Sequence, residues 1–183
     1  MKHPQSIRII GGKWRSRKVS FASRSEIRPT GDRIRETLFN WLTHDINGAS
    51  CLDLFSGTGI LGIEALSRGA SNLTFIEKNK DIAANLEHNL ALLQADHFVL
   101  LVAEAMEYLN TTNQFYDVIF LDPPFGGKHL QQALKTIVER QIGASFIYIE
   151  SETISTFDLL PDNCRIYRQK RAGQVHYGLI TTP

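Results

Sequence analysis

From Cys51 to Glu150 the chain alternates short apolar runs with stretches of helical period, and this rhythm constrains the fold more than any other feature. Residues 51–55, 72–76, 97–102, 116–121 and 145–150 are rich in β-branched and aromatic side chains and read as strands. Residues 59–68, 80–94, 104–110 and 128–141 read as helices. Ile82, Leu86, Leu90 and Leu93 form one apolar stripe, and Leu130, Leu134, Ile137 and Val138 form another. A helix after each strand carries the chain back to the same end of the sheet, so the strands pair in parallel. Segments 164–170 and 174–181, split by Arg171-Ala172-Gly173, read as a closing antiparallel hairpin. The expected fold is α/β: a mostly parallel seven-stranded sheet with helices on both faces and an antiparallel C-terminal end.

Ahead of this block the composition changes. The net charge is only +1, yet residues 1–35 hold ten Lys or Arg against Glu26 and Asp32, a net +8. The remaining 148 residues, ten basic against seventeen acidic, carry −7. Such clustering is the mark of an arm that binds an anionic polymer. Ile7, Ile9, Ile10, Trp14, Val19 and Phe21 are interleaved with the charges, so the arm reads as a β-hairpin folding around Gly11-Gly12. Its candidate nucleic-acid contacts are Arg8, Lys13, Trp14, Arg15, Arg17 and Lys18, continued by Arg28, Arg33 and Arg35; Trp14 either stacks on a base or anchors the hairpin. A second cluster, Arg165, Arg168, Lys170 and Arg171, is the alternative surface. The arm is assigned to 1–27 and the main domain to 28–183, with Thr30 or Asp32 capping a helix through Leu42.

Several classes are excluded. The longest apolar runs are strand-length, and the basic start lacks the apolar stretch of a signal peptide, so a cytoplasmic, non-membrane protein is expected. Cys51 and Cys164 give no disulfide framework, and the six histidines show no metal spacing, so no metal is expected.

The chemistry lies in two motifs. Cys51 to Gly62 reads as a strand, a glycine-rich turn and a helix start, and such a turn lets the backbone approach a ligand. Gly57, Gly59 and Gly62 fit the dinucleotide fingerprint, with Glu77 twenty residues beyond Gly57 as the ribose-binding acid, so a nicotinamide-dependent oxidoreductase is a rival reading. Asp53 argues against it, because a carboxylate there attracts an ammonium or sulfonium and repels a pyrophosphate. The second motif, Asp122-Pro123-Pro124-Phe125, ends the strand at 116–121. It suits methyl transfer to an exocyclic amine: Asp122 and the Pro123 carbonyl accept the N–H groups, and Phe125 stacks on an extruded base. In a sheet of this kind ligands bind beyond the carboxyl ends of the strands, where Asp53, Glu77, Glu104 and Asp122 all fall. Asp117 is read as a structural partner.

The order of these motifs resembles S-adenosylmethionine-dependent amino-methyltransferases of the Rossmann-like class I fold. Arg8 to Arg15, Arg28-Pro29-Thr30 with Asp32 to Leu42, Asp53 to Gly59, Glu64 to Arg68, Asp122 to Phe125, Tyr148 to Glu152 and Ala172 to Val175 together resemble the bacterial RsmD-type family of 16S ribosomal RNA guanine-N2 methyltransferases. The resemblance implies S-adenosylmethionine as cofactor and methylation of N2 of the guanine conventionally numbered 966, in the assembled or assembling small ribosomal subunit. It also implies catalytic roles for Asp122, Pro123 and Phe125, and cofactor contacts at Asp53, Phe55, Gly57, Gly59, Glu77, Glu104, Ala105 and Asp122. Ala103-Glu104-Ala105 departs from the wider pattern, where the adenine-contacting acid is often Asp after Gly. A monomer is expected. The residues alone do not separate guanine from adenine, and a DNA amino-methyltransferase acting on adenine N6 or cytosine N4 stays open at this point.

Overall fold

The computed structural model describes residues 5–21, 29–124 and 128–182. Arg28 and Phe125 therefore lie outside the described residues, as does the boundary set at 27 and 28. Among the described residues sixteen elements follow one another, and two hydrophobic clusters sit on the two faces of one sheet.

The basic segment folds as a two-stranded antiparallel ribbon, β1 (Gln5–Arg8) against β2 (Lys18–Phe21), with Arg8 opposite Lys18. Its connection differs from the expected glycine turn. A 3-10 turn at Gly12–Trp14 carries Trp14 inward, where only 6% of it is exposed among Ile9, Val19, Leu38 and Phe39. The double glycine serves close approach instead: Gly12 has φ +72°, and a Cβ there would lie 1.8 Å from the Ser67 carbonyl oxygen. Trp14, expected among the nucleic-acid contacts, is thus a core residue, because burying an indole is worth more to a short ribbon than exposing it.

Helix α1 (Asp32–Trp41) follows, with Gly31 as N-cap in place of Thr30 or Asp32. Ile34, Arg35, Leu38 and Phe39 form its buried face. Then come β3 (Ser50–Asp53), α2 (Ile60–Ser67), β4 (Asn72–Ile76), α3 (Lys80–Leu93), β5 (Phe98–Leu101), α4 (Ala105–Thr111), β6 (Val118–Leu121), α5 (His129–Glu139), β7 (Phe146–Ser151), a short α6 (Ser155–Asp158) absent from the sequence expectation, and the hairpin β8 (Arg165–Ala172) and β9 (Val175–Thr181). The sheet order is β5-β4-β3-β6-β7-β9-β8, parallel from β5 to β7, with β9 antiparallel to both of its neighbours. Consecutive strands run outward from β3 to β5, after which the chain returns to β6 on the other side of β3. The switch point therefore lies between β3 and β6, where a crevice opens. At the opposite end of these strands Asp117 joins β3 to β6 by accepting the Ser50 N–H at 2.8 Å, as expected of a structural residue.

Arg35 was expected on the RNA-binding surface and is instead fully buried. Its Nη1 donates to Glu64 Oε1 at 2.5 Å, its Nη2 to Asp32 Oδ1 at 2.6 Å and to the Arg8 carbonyl at 2.9 Å, and its Nε to the Thr30 carbonyl at 3.0 Å. Glu64, also without exposure, accepts the Ile10 N–H at 2.6 Å and Arg68 Nε at 3.3 Å. Burial pulls the Arg35 guanidinium down and pushes the Glu64 carboxyl up, so each depends on its partner to stay charged. Arg35→Ala leaves Glu64 and two carbonyls short of donors inside the protein, and should destabilise the fold by about 3–5 kcal/mol. Urea denaturation measures this, and an unchanged midpoint would show that the pair contributes nothing.

Candidate active site

A cleft of about 540 Å³ opens at the carboxyl ends of β3, β4, β5 and β6. Its floor is the turn after β3. Ser56 N–H donates to the Ile76 carbonyl, Ser56 Oγ to the Asp53 carbonyl and Gly59 N–H to the Ser56 carbonyl, which fold the chain back tightly before α2. Gly59, the left-handed N-cap of α2 with φ +71°, packs so closely on α3 that a Cβ would lie 2.3 Å from Leu86 Cδ1. Gly57 faces open space, where a Cβ would meet nothing nearer than the Phe55 carbonyl oxygen at 4.0 Å. One glycine thus serves packing, and the other leaves room for a ligand against the backbone.

Three carboxylates surround this turn in different states. Asp53 is 3% exposed and accepts the Gly62 N–H at 3.1 Å. Burial pushes its carboxyl up to about 7 against the pull of that hydrogen bond, and neighbouring Glu77 pushes the same way. Glu77, half-buried, accepts the Gly57 N–H at 2.9 Å through Oε2 and the Asn79 N–H at 2.8 Å through Oε1. Asn79 in turn caps α3 by accepting from Asp81 and Ile82 N–H. Glu104 is exposed at the cleft mouth, 3.7 Å from Lys78 Nζ.

Across the switch point, Asp122 follows β6 and Pro123 is buried beside it. Thr30 Oγ1 donates to Asp122 Oδ2 at 3.1 Å, and Thr30 is 5% exposed. His129 at the start of α5 sets its ring 6.4 Å from that of Phe55.

Asp53, Phe55, Gly57, Glu77, Glu104, Ala105, Asp122 and Pro123 all line this one cleft. Gly59 does not, serving as helix cap. Thr30, Asn79, Ile82, Met106 and His129 line it too and were not singled out as site residues. Ile82 belongs to the apolar stripe of α3. It stands on the first turn of α3, half-buried toward the cleft, and only the turn's geometry separates it from Leu86 below. Of the expected RNA contacts, Arg8 pairs with Asp32 at 3.0 Å, Lys13 with Asp96 at 3.4 Å, and Arg17 donates to the Leu92 carbonyl. Arg15, Lys18 and Arg33 are exposed.

The switch-point cleft, its open glycine turn and an acid at each strand end define a class I S-adenosylmethionine-dependent methyltransferase. A chain solved in complex with SAH shares the fold, with a TM-score of 0.64 over 82% of this chain and 48% of that one, at 18% identity. Residues 7–181 match the model of the family described as Conserved hypothetical protein 95, and the chain belongs to this family, the RsmD family expected from its motifs. It is 42% identical over 175 residues to Ribosomal RNA small subunit methyltransferase D of Escherichia coli, covering 94% of this chain and 88% of that protein. The solved structure of yhhF from Escherichia coli aligns with a TM-score of 0.88 at 39% identity, over 97% of this chain and 98% of that one.

S-adenosylmethionine carries an ammonium and a sulfonium, and the donor set fits it: buried Asp53 and the backbone-held Glu77 flank a turn with space above Gly57. Below pH 7 Asp53 is largely protonated, and a cation bound beside it must displace that proton. Affinity for the cofactor should therefore fall by up to about tenfold per pH unit as pH drops below 7, and Asp53→Asn should flatten the dependence. Calorimetry between about pH 5.5 and 7.5 checks this. A flat wild-type profile would mean that Asp53 does not sense the bound cation.

Proposed function

We propose that the protein transfers a methyl group from S-adenosylmethionine to the exocyclic N2 of one guanine of 16S ribosomal RNA, conventionally numbered 966, in the small ribosomal subunit. The observation that carries the reading is the placement of Asp122, which stands one strand from Asp53 across the switch point and shares its cleft. The cofactor supplies a methyl group already activated by positive charge. The chain's own contribution is to hold the amine. Asp122 accepts one N–H of the guanine amino group and the Pro123 carbonyl the other, which draws the nitrogen lone pair out of conjugation with the ring. Neither proline offers a competing backbone N–H. Stacking on Phe125 belongs to the same reading and rests on the motif.

Thr30 is a positioning residue. Its hydroxyl holds Asp122 Oδ2, and its own carbonyl is gripped by buried Arg35, so the carboxylate's orientation is tied to the core. Asp53 contacts the amino end of the cofactor and Glu77 its ribose hydroxyls. Asp53 disfavours the oxidoreductase reading, because it would meet the pyrophosphate of a dinucleotide. The exposed Arg15, Lys18 and Arg33 supply RNA contacts on the ribbon side.

Incubation with labelled S-adenosylmethionine and small subunits lacking the modification, followed by mapping of the labelled nucleoside, tests the function. Label on adenine, or on DNA alone, would overturn it. Asp122→Ala should lower turnover by about 10²-fold or more with cofactor affinity nearly intact, as expected for loss of one aligned acceptor. Near-normal methylation would remove Asp122 from the chemistry. Thr30→Val, which keeps the shape and deletes the hydroxyl, should lower kcat by about 10- to 100-fold, the scale of a hydrogen bond to a charged group. Thr30→Ser should restore most of it. Equal losses in both variants would assign Thr30 a packing role only.

A further inference from the structure

We infer that the outer edge of the sheet, strand β8, is a phosphate-contacting surface that holds ribosomal RNA on the substrate side of the cleft. The inference rests on the RNA methyltransferase reading and adds where the polymer lies. Three observations carry it.

The first is topological. Asp53, Glu77 and Glu104 end β3, β4 and β5, so that half of the sheet edge is acidic and belongs to the cofactor. A polyanion whose base reaches Asp122 is repelled there and approaches over β7, β9 and β8. The pairing register then places a cation in line with the site. Leu121 pairs with Ile149, Ile149 with Gly178 and Gly178 with Gln169, and the next row along holds Glu150, Tyr177 and Lys170. Lys170 thus falls in the row of Asp122, three strand spacings or about 14 Å away. Nucleotides flanking an extruded base span such a distance.

The second is charge. Strand β8 carries Arg165, Arg168, Lys170 and Arg171 and no acid, and all four are exposed. Among the described residues none of them joins an ion pair, and Arg171 Nε donates to the Gly173 carbonyl in its own turn. The ribbon cations Arg8 and Lys13, by contrast, face acids of this chain. A row of four unneutralised cations therefore stands on β8, in addition to the exposed Arg15, Lys18 and Arg33 of the N-terminal segment.

The third is aromatic. Tyr167 is 47% exposed, and the Arg168 guanidinium lies 5.0 Å from its ring centre. Lys170 Nζ lies 5.9 Å from the Trp41 ring centre, and Trp41 stacks on Tyr177 at 5.6 Å. Rings beside cations restrict where the charges can point, and an exposed tyrosine offers a face for an unpaired base.

Cations on an edge strand also keep other chains from pairing with it, and this is the competing explanation. The test uses the full chain and small subunits lacking the methyl group, with binding measured across a salt series and S-adenosylmethionine affinity as a control for folding. Arg165→Ala, Arg168→Ala and Lys170→Ala together should weaken subunit binding and make the logarithmic salt slope shallower by about 2, from about 0.7 to 0.9 per phosphate contact. Cofactor affinity should not move. Lys170→Glu alone, a change at an exposed position, should raise KM for subunits while leaving cofactor affinity intact. An unchanged salt slope in the triple variant, or an unchanged KM in Lys170→Glu, overturns the inference and leaves the cations as edge protection. Failure of the wild-type protein to methylate the subunits would instead overturn the function on which the inference rests.

Discussion

The buried Arg35–Glu64 pair is the interaction on which the remaining architecture depends. It joins α1 to α2, and its further hydrogen bonds reach Arg8 and Ile10 in the ribbon and Thr30 ahead of α1. An ion pair without solvent gains little net stability over a well-packed apolar pair of the same size. Its value here is specificity, since the four hydrogen bonds of the guanidinium and the further bonds of the carboxylate fix partners in the ribbon, ahead of α1, in α1 and in α2. A hydrophobic pair would allow the ribbon to slide along α2, whereas a guanidinium fork admits few geometries. Gly12 completes the lock. A Cβ on Gly12 would lie 1.8 Å from the Ser67 carbonyl oxygen, so the ribbon can sit against the end of α2 only with glycine at that position, whereas a Cβ on Gly11 would have to displace the flexible Arg68 side chain.

That lock reaches the chemistry through Thr30. Its carbonyl belongs to the Arg35 cluster and its hydroxyl to Asp122, so one residue connects the packing of the N-terminal segment to the acid at the end of β6. Helix α2 connects the same cluster to the cofactor side, because Gly62 N–H holds Asp53 within two residues of Glu64. Both halves of the crevice are thus referenced to one buried ion pair.

Much of the sheet was legible because its signals are local. Strand 72–76 was read with the bounds it has, and the four acids were assigned to one edge from strand ends and crossover rules alone. What escaped depends on partners far along the chain. Arg35 counts as a surface cation until Glu64, 29 residues later, is known to face it. Trp14 could be placed only by knowing that Ser67 Oγ would accept its backbone N–H. Thr30 and Asp122 are 92 residues apart, and no periodicity links them. The double glycine was read as a turn because tight turns are the commonest use of such a pair. Here the requirement came from the neighbouring helix, which local sequence does not report.

Four acids at one sheet edge would repel one another unless each were treated differently, and the structure treats them so. Asp53 is buried near neutrality, Glu77 is held by two backbone N–H groups, Glu104 stands in solvent beside Lys78, and Asp122 is bound by a hydroxyl. The arrangement stores a demand for positive charge at the glycine turn. A ligand bearing an ammonium and a sulfonium would meet that demand, favouring the ionised form of Asp53 and offsetting the repulsion from Glu77 that ionisation brings. The ligand that leaves after methyl transfer keeps the ammonium and has lost the sulfonium charge, so the same acids hold it with less Coulombic attraction. The acidic edge thus sets a Coulombic difference between the methyl donor and its product.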